Sequence, residues 1–317
     1  MLIIKEKDKE IYKIPAKKVT DILIIAKGYI TFDALTLISQ NNIPLIATNN
    51  YGQIEYIIKT PQNENIKLIK KQYKISENLQ GLKIAKEIIN SKMKNQYSTL
   101  KTLNKNKKNQ EVNKLKKEIK KYTNVIKETE INEKTEVQKT KNQIMGIEGR
   151  TSAKYWKALN ILINPETNFK TRQQKPKQDV TNAMLNYAYA ILASEITKAI
   201  ILQKLDPYCG ILHTDLNNRT SLTYDIIEEF RQQIVDKTVL SLINKKQITE
   251  EEIDKRSNLL KNEAKYLLTK NIMDKLHTQI NYQNENITYI QLIEKQVKKL
   301  KKSIEENYEY NGFNITW

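Results

Sequence analysis

The chain has 317 residues, of which 54 are Lys or Arg and 36 are Asp or Glu, so its formal net charge is +18. Its single cysteine excludes a disulfide framework and a zinc site built from cysteines. Only seven glycines and six prolines interrupt the chain, which favours long helices over a glycine-rich loop enzyme. The charge favours a polyanionic partner, although the abundance of lysine, asparagine and isoleucine indicates that codon bias in an A/T-rich genome contributes to it.

No apolar run approaches the roughly 18 residues of a membrane span, and the N-terminal apolar stretch is too short for a secretion signal. The sequence therefore predicts a soluble, cytoplasmic protein. The few arginines of this lysine-rich chain are expected where lysine cannot replace a planar, bidentate donor. They are Arg150, Arg172, Arg219, Arg231 and Arg256.

Short apolar runs bounded by turn residues predict strands over most of the first 60 residues, at 2–4, 11–14, 22–25, 44–47 and 54–58. Residues 32–41 differ, because their apolar positions recur at helical spacing and predict one short helix. This part of the chain should form a small β-rich domain.

Lysine is concentrated between residues 61 and 147, which hold 21 lysines and nine glutamates. Apolar residues recur there every three or four positions, which predicts amphipathic helices with basic outer faces. Two interpretations stay open for these faces: a solvated helix surface, or a surface that binds a nucleic-acid backbone.

The rest of the chain is predicted to be mostly helical, with apolar stripes over 183–193, 226–242, 259–276 and 290–300. We therefore predict an α+β protein in three parts. A β-rich domain covers residues 1–62, a linker and connecting helix cover 63–90, and a larger α-helical domain covers 91–317.

Candidate chemistry begins with the histidines, which occur only at positions 213 and 277. His277 lies in the middle of a predicted helix and is most simply a surface or packing residue. His213 follows a turn, and Asp225, Glu228 and Glu229 follow it on a helix where their spacing places them on one face.

Three like charges on one helix face destabilise a bare helix. Either Glu228 and Glu229 are solvated and Arg231 offsets their charge, or a cation neutralises the acids. The apolar neighbours Ile226, Ile227 and Phe230 favour the second interpretation, because they predict a partly buried helix.

Glu148 stands out because Gly146 and Gly149, two of the seven glycines, flank it and indicate a close backbone approach near a helix start. It is either a first-turn carboxylate that interacts with the helix dipole or a metal ligand together with His213 and a later acid. Two carboxylates and one neutral imidazole suit Mg²⁺ or Mn²⁺. Beside a basic surface, such an ion would act on a phosphodiester.

Four blocks of the chain, in this order, resemble the CRISPR-associated adaptation integrases, the "Cas one" proteins that insert spacers into a CRISPR array. The blocks are IEGRTSAKYW at 147–156, Arg172 through DVTNAMLNYAY at 179–189, LDPYCGILH at 205–213 and SLTYDIIEEFR at 221–231. In the N-terminal region, IPLI at 43–46 and Gly52 also match. The resemblance covers essentially the whole chain.

The resemblance implies an N-terminal β-sandwich-like domain and an α-helical catalytic domain. It implies that Glu148, His213 and Glu228 are the catalytic metal ligands for Mg²⁺ or Mn²⁺, and that Asp225 is a further acid beside the metal. Arg231 matches a basic residue near the scissile phosphate. The other four arginines and the lysines of 61–147 are expected to neutralise phosphates of double-stranded and branched DNA.

The implied reaction is transesterification, in which a 3′-hydroxyl of spacer DNA attacks a phosphodiester at the repeat end; branched DNA is also cleaved. The implied assembly is a heterohexamer, in which two homodimers flank a dimer of a small companion subunit, the "Cas two" protein.

Two other functions remain as alternatives. A casposase, a transposon integrase with the same catalytic domain, ranks second, because casposases usually carry extra C-terminal DNA-binding sequence and this chain stops at Trp317. A non-catalytic DNA-binding scaffold ranks third, because all three ligands are present.

Overall fold

The structure, a computed structural model, describes residues 1–24, 28–48, 54–58, 65–173, 179–213, 217, 219–254 and 257–315. Strands group near the N-terminus and helices make up most of the remainder, which confirms the predicted α+β class. The N-terminal elements are β1 (Leu2–Glu6), β2 (Lys9–Ile14), β3 (Ile22–Ile24), α1 (Phe32–Gln40), β4 (Leu45–Thr48) and β5 (Ile54–Ile58).

The N-terminal strands form two small sheets. β1 and β2 pair as an antiparallel hairpin, whereas β3 pairs in parallel with β4, which pairs antiparallel with β5. A parallel pair needs a crossover, and α1 supplies it between β3 and β4. Ala16, Ile38, Ile43 and Leu45 form a small buried cluster between these elements.

The helical part contains the long helices and two short hairpins. The helices are α2 (Ile66–Ile75), α3 (Leu79–Lys107), α4 (Gln110–Glu128), α5 (Val137–Leu162), α6 (Val180–Leu202), α7 (Ser221–Arg231), α8 (Lys237–Asn244), α9 (Asn262–His277) and α10 (Tyr289–Glu306). A π-helical turn, Gln232–Asp236, joins α7 to α8. The hairpins pair β6 (Ile253–Asp254) with β7 (Leu259–Leu260) and β8 (Gln279–Tyr282) with β9 (Glu285–Thr288).

The central helix of the core is α6, which contacts α7, α9 and α10. By length and composition α6 could cross a membrane, although no such segment was expected, and most of its apolar stretch is buried inside the protein. A core helix that is covered on several sides needs the same apolar composition as a membrane span.

One stripe of α3 changes character along its length. Its buried residues are apolar up to Ile89 and then become polar at Asn90, Ser91, Lys92 and Asn95. The helix is continuous across residue 90, where the predicted connecting segment ends, so residues on both sides of that point share one rigid element. Its polar stripe faces α5 and α7, which pack against it.

Two expectations about glycine were wrong. Gly146 and Gly149 lie in the middle of α5, and a Cβ placed on either would meet no atom within 4 Å. Glu148 is therefore neither at a helix start nor a first-turn carboxylate.

Candidate active site

Two of the predicted ligands converge on a single cation. The Glu148 carboxylate on α5 and the Glu228 carboxylate on α7 lie 2.5 Å and 2.6 Å from the Nζ atom of Lys92 on α3. The Lys92 side chain is only 8% exposed. Because α3 runs between α5 and α7, its ammonium group reaches both carboxylates, which are far apart in the sequence.

Glu148 is oriented by its own helix. Ser152 lies one turn further along α5 and donates its hydroxyl to Glu148 Oε1 at 2.6 Å. Gln96 on α3 donates to the Ser152 oxygen at 3.1 Å. Two polar residues of α3 therefore hold this carboxylate. Lys92 contacts it directly, and Gln96 holds Ser152, which donates to it.

Glu228 is ionised in this environment. Burial alone would raise the pKa of its carboxyl, but Arg231 and Lys92 outweigh that effect and lower the pKa to about 2. Arg231 donates from one guanidinium nitrogen to both carboxylate oxygens, at 2.8 Å and 3.0 Å. Arg231 offsets the charge of Glu228, as the first sequence interpretation held, but Glu228 is buried rather than solvated and Lys92 contributes a second positive charge.

Asp225 organises the loop that carries His213. Its buried carboxylate accepts the backbone N–H groups of Ile211, Leu212 and His213 at 2.6 to 3.0 Å. It also accepts a hydrogen bond from the His213 ring at Nδ1, 2.6 Å away. Nδ1 is therefore the ring nitrogen turned toward Asp225, and Nε2 lies on the opposite side of the ring.

The chemistry of these donors fits a divalent cation. The two carboxylates already surround a positive charge, and His213, which is 22% exposed on its side chain, presents the ring nitrogen that a metal prefers. As arranged, no three His, Cys, Asp or Glu side chains within the described ranges lie close enough together to hold an ion. The structure therefore brings Glu148 and Glu228 to one atom and leaves His213 outside that contact.

Glu229 has a structural role rather than a solvated one. Its buried carboxylate accepts the Tyr310 hydroxyl and the Phe313 N–H, both at 2.6 Å, and the Gln296 amide at 3.0 Å. Burial raises its pKa to about 7, although these three donors act in the opposite direction. Glu229 thus fastens the C-terminal segment 310–315 to α7, next to Glu228.

A second buried network, made of a tyrosine ring contact and hydrogen bonds, holds the guanidinium group of Arg231. Its guanidinium lies 4.3 Å from the centre of the Tyr189 ring. The hydroxyls of Tyr189 and Tyr155 both donate to the buried Asp236 carboxylate. Burial raises the pKa of Asp236, while Arg231 and the two tyrosines lower it in part. The π-helical turn after Arg231 brings Asp236 to these tyrosines.

All four arginines that the structure describes lie over tyrosine rings. Arg150 lies over Tyr122, Arg172 and Arg231 over Tyr189, and Arg219 over Tyr224. Planar guanidinium groups stack in this way. Arg256, also predicted to contact DNA, lies outside the described residues.

Only Arg150 among these four is largely exposed. It lines an open groove of about 590 Å³ between α4 and α5, together with Tyr122, Lys154 and Lys157. Arg172 is instead engaged by Asn182 and Asn186 at the start of α6, at 3.1 Å and 2.6 Å. These hydrogen bonds tie Arg172 to α6, whereas the exposed guanidinium group of Arg150 is accessible to a ligand.

Sequence reasoning missed Lys92, Tyr155 and Asp236. Lys92 gave a usable signal, because it continues the apolar stripe of Ala85, Ile88 and Ile89 at helical spacing. A lysine on the buried stripe of a helix requires a charged partner. The two other residues lie in or near the matched blocks but carry no spacing pattern of their own.

Comparison with known proteins identifies the family. The family model described as CRISPR associated protein Cas1 matches residues 1–282. A CRISPR-associated protein Cas1 from Methanobrevibacter ruminantium is 49% identical over 316 residues, 100% of this chain and 95% of that protein. A CRISPR-associated endonuclease Cas1 from Archaeoglobus fulgidus is 34% identical over 331 residues, again covering 100% and 95%.

Two solved structures share the fold. A casposase bound to integration product has a TM-score of 0.72 at 25% identity, covering 98% of this chain and 91% of the other. A chain of a partial Cas6-RT-Cas1–Cas2 complex has a TM-score of 0.73 at 20% identity, covering 99% and 94%. This chain belongs to the CRISPR-associated Cas1 family. Its membership confirms the predicted resemblance and the predicted class of function, a CRISPR-associated endonuclease and integrase.

Proposed function

We propose that the protein is a metal-dependent DNA integrase and endonuclease that inserts spacer DNA into a CRISPR array. In this reaction the 3′-hydroxyl of the incoming DNA attacks a phosphodiester at the end of a repeat. The observation that carries the proposal is the meeting of Glu148 and Glu228 around one buried positive charge. The lysine-rich helices α3 and α4 pack against α5, which carries Glu148, and the Archaeoglobus fulgidus relative is named an endonuclease.

Glu148, Glu228 and His213 would hold the ion, Mg²⁺ or Mn²⁺. When bound, such an ion polarises the phosphodiester and stabilises charge on the attacking and leaving oxygens. Asp225 prepares His213 for this role, because its contact with Nδ1 orients the ring and would leave Nε2 to bind the ion.

Arg231 would act on the scissile phosphate from beside the ligands. Its contact with Glu228 and its stacking on Tyr189 hold the guanidinium in one orientation. Such a preorganised cation stabilises negative charge that develops on a phosphate without rearranging during the reaction.

The DNA duplex would lie on the lysine-rich faces of α3, α4 and α5. Arg150, Lys154 and Lys157 line the groove between α4 and α5. Lysine and arginine contacts of this kind neutralise phosphates and position DNA without reading its sequence.

We further propose that the protein acts as a homodimer, and that two dimers flank a dimer of the companion "Cas two" subunit in the cytoplasm. The likeness in fold to a chain of a Cas1–Cas2 complex supports this assembly. A casposase-type activity is the second candidate, because a casposase bound to integration product shares this fold at 25% identity. A repeat array beside the gene favours the first function, and its absence favours the second.

An integration assay tests the proposal. A 3′-hydroxyl oligonucleotide is incubated with supercoiled plasmid and Mn²⁺ or Mg²⁺, with and without the companion subunit. We expect joined product with metal and none with a chelator. A protein that binds DNA but gives no product or cleavage under either condition would be the non-catalytic scaffold.

The ligand assignment is tested in the same assay with His213→Ala, which should abolish strand transfer and leave DNA binding largely intact. His277→Ala is the matched control. His277 is exposed at the end of α9, where its ring is hydrogen-bonded to the carbonyl of Met273 one turn earlier. Full activity of His213→Ala would refute its role as a ligand.

A further inference from the structure

The charges around Lys92 cancel without any bound ion. Glu148 and Glu228 each carry one negative charge, and Lys92 and Arg231 each carry one positive charge. All four groups are mostly buried, with side-chain exposures between 8% and 20%. Adding a divalent cation while Lys92 stays would leave this poorly solvated place with a net positive charge, even with the Asp225 carboxylate on His213 counted, which is unfavourable.

The ammonium group also occupies the space between the carboxylates. Lys92 Nζ is within 2.6 Å of an oxygen of each glutamate. An Mg²⁺ ion binds carboxylate oxygens at about 2.0–2.1 Å. Lys92 takes Oε1 of Glu148 and Oε2 of Glu228, so an ion placed between the two glutamates would compete with its ammonium group for the same gap and for these oxygens.

Lys92 is the cation that can leave. It has a flexible four-carbon stem and a single point charge, whereas Arg231 is a planar group that binds both oxygens of Glu228 and stacks on Tyr189. Displacing Arg231 would break all of these contacts, whereas displacing Lys92 breaks one ion pair to each glutamate and requires rotation of its flexible stem.

We propose that Lys92 is an internal counter-ion that occupies the place of the divalent cation between Glu148 and Glu228 and leaves it when the metal binds. This inference rests on the proposed function, because it presupposes that the two glutamates are metal ligands. Lys92 is a positioning residue: it holds the carboxylates together without metal and lowers the affinity of the site for the metal.

The direct test measures Mn²⁺ binding by calorimetry on the full-length chain. Lys92→Met keeps the aliphatic stem and removes the charge, and we expect it to bind Mn²⁺ at least ten-fold more tightly than the unmodified protein. The matched control is Lys198→Met. Lys198 also bridges two acids, Glu195 at 2.6 Å and Asp21 at 3.4 Å, and its side chain is 13% exposed. The control should bind Mn²⁺ with unchanged affinity.

An affinity of Lys92→Met equal to or weaker than that of the unmodified protein would overturn the proposal. A further variant, Glu148→Gln, distinguishes an error in the counter-ion role of Lys92 from an error in the metal site itself. If Glu148→Gln weakens Mn²⁺ binding but Lys92→Met does not strengthen it, only the counter-ion role is wrong. If Glu148→Gln has no effect on Mn²⁺ binding, the proposed function loses its metal site.

A measurement on the unmodified protein covers the case in which Lys92→Met does not fold. Lysines are acylated briefly with an amine-reactive reagent, and the extent at each lysine is read by mass spectrometry. We expect saturating Mg²⁺ to raise modification of Lys92 several-fold, since the displaced ammonium group gains exposure, and to leave Lys198 unchanged. Equal modification of Lys92 with and without Mg²⁺ would overturn the proposal.

Discussion

Asp225, Glu228 and Glu229 lie within two turns of α7, yet each carboxylate meets a different set of donors. Asp225 accepts backbone N–H groups from the His213 loop, Glu228 meets two cations, and Glu229 accepts three neutral donors. The surroundings shift the pKa values of Glu228 and Glu229 in opposite directions. The pKa of Glu228 falls to about 2 under the influence of Arg231 and Lys92, whereas burial raises that of Glu229 to about 7.

The raised pKa of Glu229 predicts an unusual dependence of stability on pH. The folded state binds a proton at Glu229 more tightly than the unfolded state does, so the stabilisation is complete below pH 4.5 and is lost as the pH rises to about 7. Relative to Glu229→Gln, which cannot ionise, the unmodified protein should lose about 3 kcal/mol across this window.

Urea unfolding of both proteins at several pH values measures this difference, and the titration of all other groups cancels in it. A difference in the free energy of unfolding that stays constant from pH 4.5 to pH 7 would contradict the assignment.

The sequence was enough to select the acidic residues of the site, but it did not show which residues contact them. The i, i+3 spacing predicts that Asp225 and Glu228 share a helix face, and that much follows from helix geometry alone. That Lys92 reaches both Glu148 and Glu228 depends on how three helices pack, which no local pattern encodes. Glu229 likewise receives its donors from the C-terminal segment, after the last helix.

At the scale of elements, the C-terminal segment 310–315 forms a strap that is hydrogen-bonded to both α3 and α7. Asn95 of α3 donates to the carbonyls of Glu229 and Phe313, and accepts the N–H of Ile315. Gly312 sits so close to α3 that a Cβ there would lie 2.3 Å from the Ser91 hydroxyl oxygen and 3.0 Å from its Cβ. The strap therefore contacts the neighbours of both Lys92 and Glu228.

Gly312→Ala should destabilise the protein by about 2 kcal/mol, because the strap must move away from Ser91. The control is Gly149→Ala, which lies inside α5 with no atom within 4 Å of the new Cβ and should stabilise by about 1 kcal/mol. Chemical unfolding of the two variants gives both values. Equal stabilities would show that the segment does not press on α3.

Several elements were predictable because the spacing of their apolar residues is regular. The helix over residues 32–41 and the strands of the N-terminal region appear at or close to their expected positions. The short hairpins were missed. β6 and β7 have two residues each, too few to show alternation. The β8–β9 hairpin turns through Gln283 and Asn284, both at positive φ, where an Asn-Gly pair would have been the usual signal.

At the scale of the whole molecule, the lysine-rich helices and the proposed metal-binding acids occupy adjoining parts of the helical region. α3, α4 and α5 pack against one another, and α3 and α5 also supply Lys92 and Glu148. The sequence indicated the charge and the fold class, because both are sums over many residues. The shared use of α3 by the core, the basic surface and the site could not be predicted, since it requires the three-dimensional packing.

The basic surface predicts a steep dependence of DNA affinity on salt. Glutamine at Lys114, Lys117, Lys120 and Lys121, which are exposed on α4, should reduce the slope of log K against log salt by up to about 0.9 for each phosphate that these lysines no longer neutralise. The matched control replaces Lys5, Lys7, Lys9 and Lys13 of the exposed β1–β2 hairpin and should leave the slope unchanged. Equal slopes for both variants and the unmodified protein would show that the α4 lysines form a solvated surface and do not contact DNA.

The central claim is that Glu148, His213 and Glu228 bind one divalent cation. Anomalous diffraction from a crystal grown with Mn²⁺ tests it most directly, because the signal locates the ion without reference to activity. We predict one peak within about 2.3 Å of a carboxylate oxygen of each glutamate and of the His213 Nε2 atom, with Lys92 withdrawn. A peak bound by other residues, or none at saturating Mn²⁺, would contradict the account.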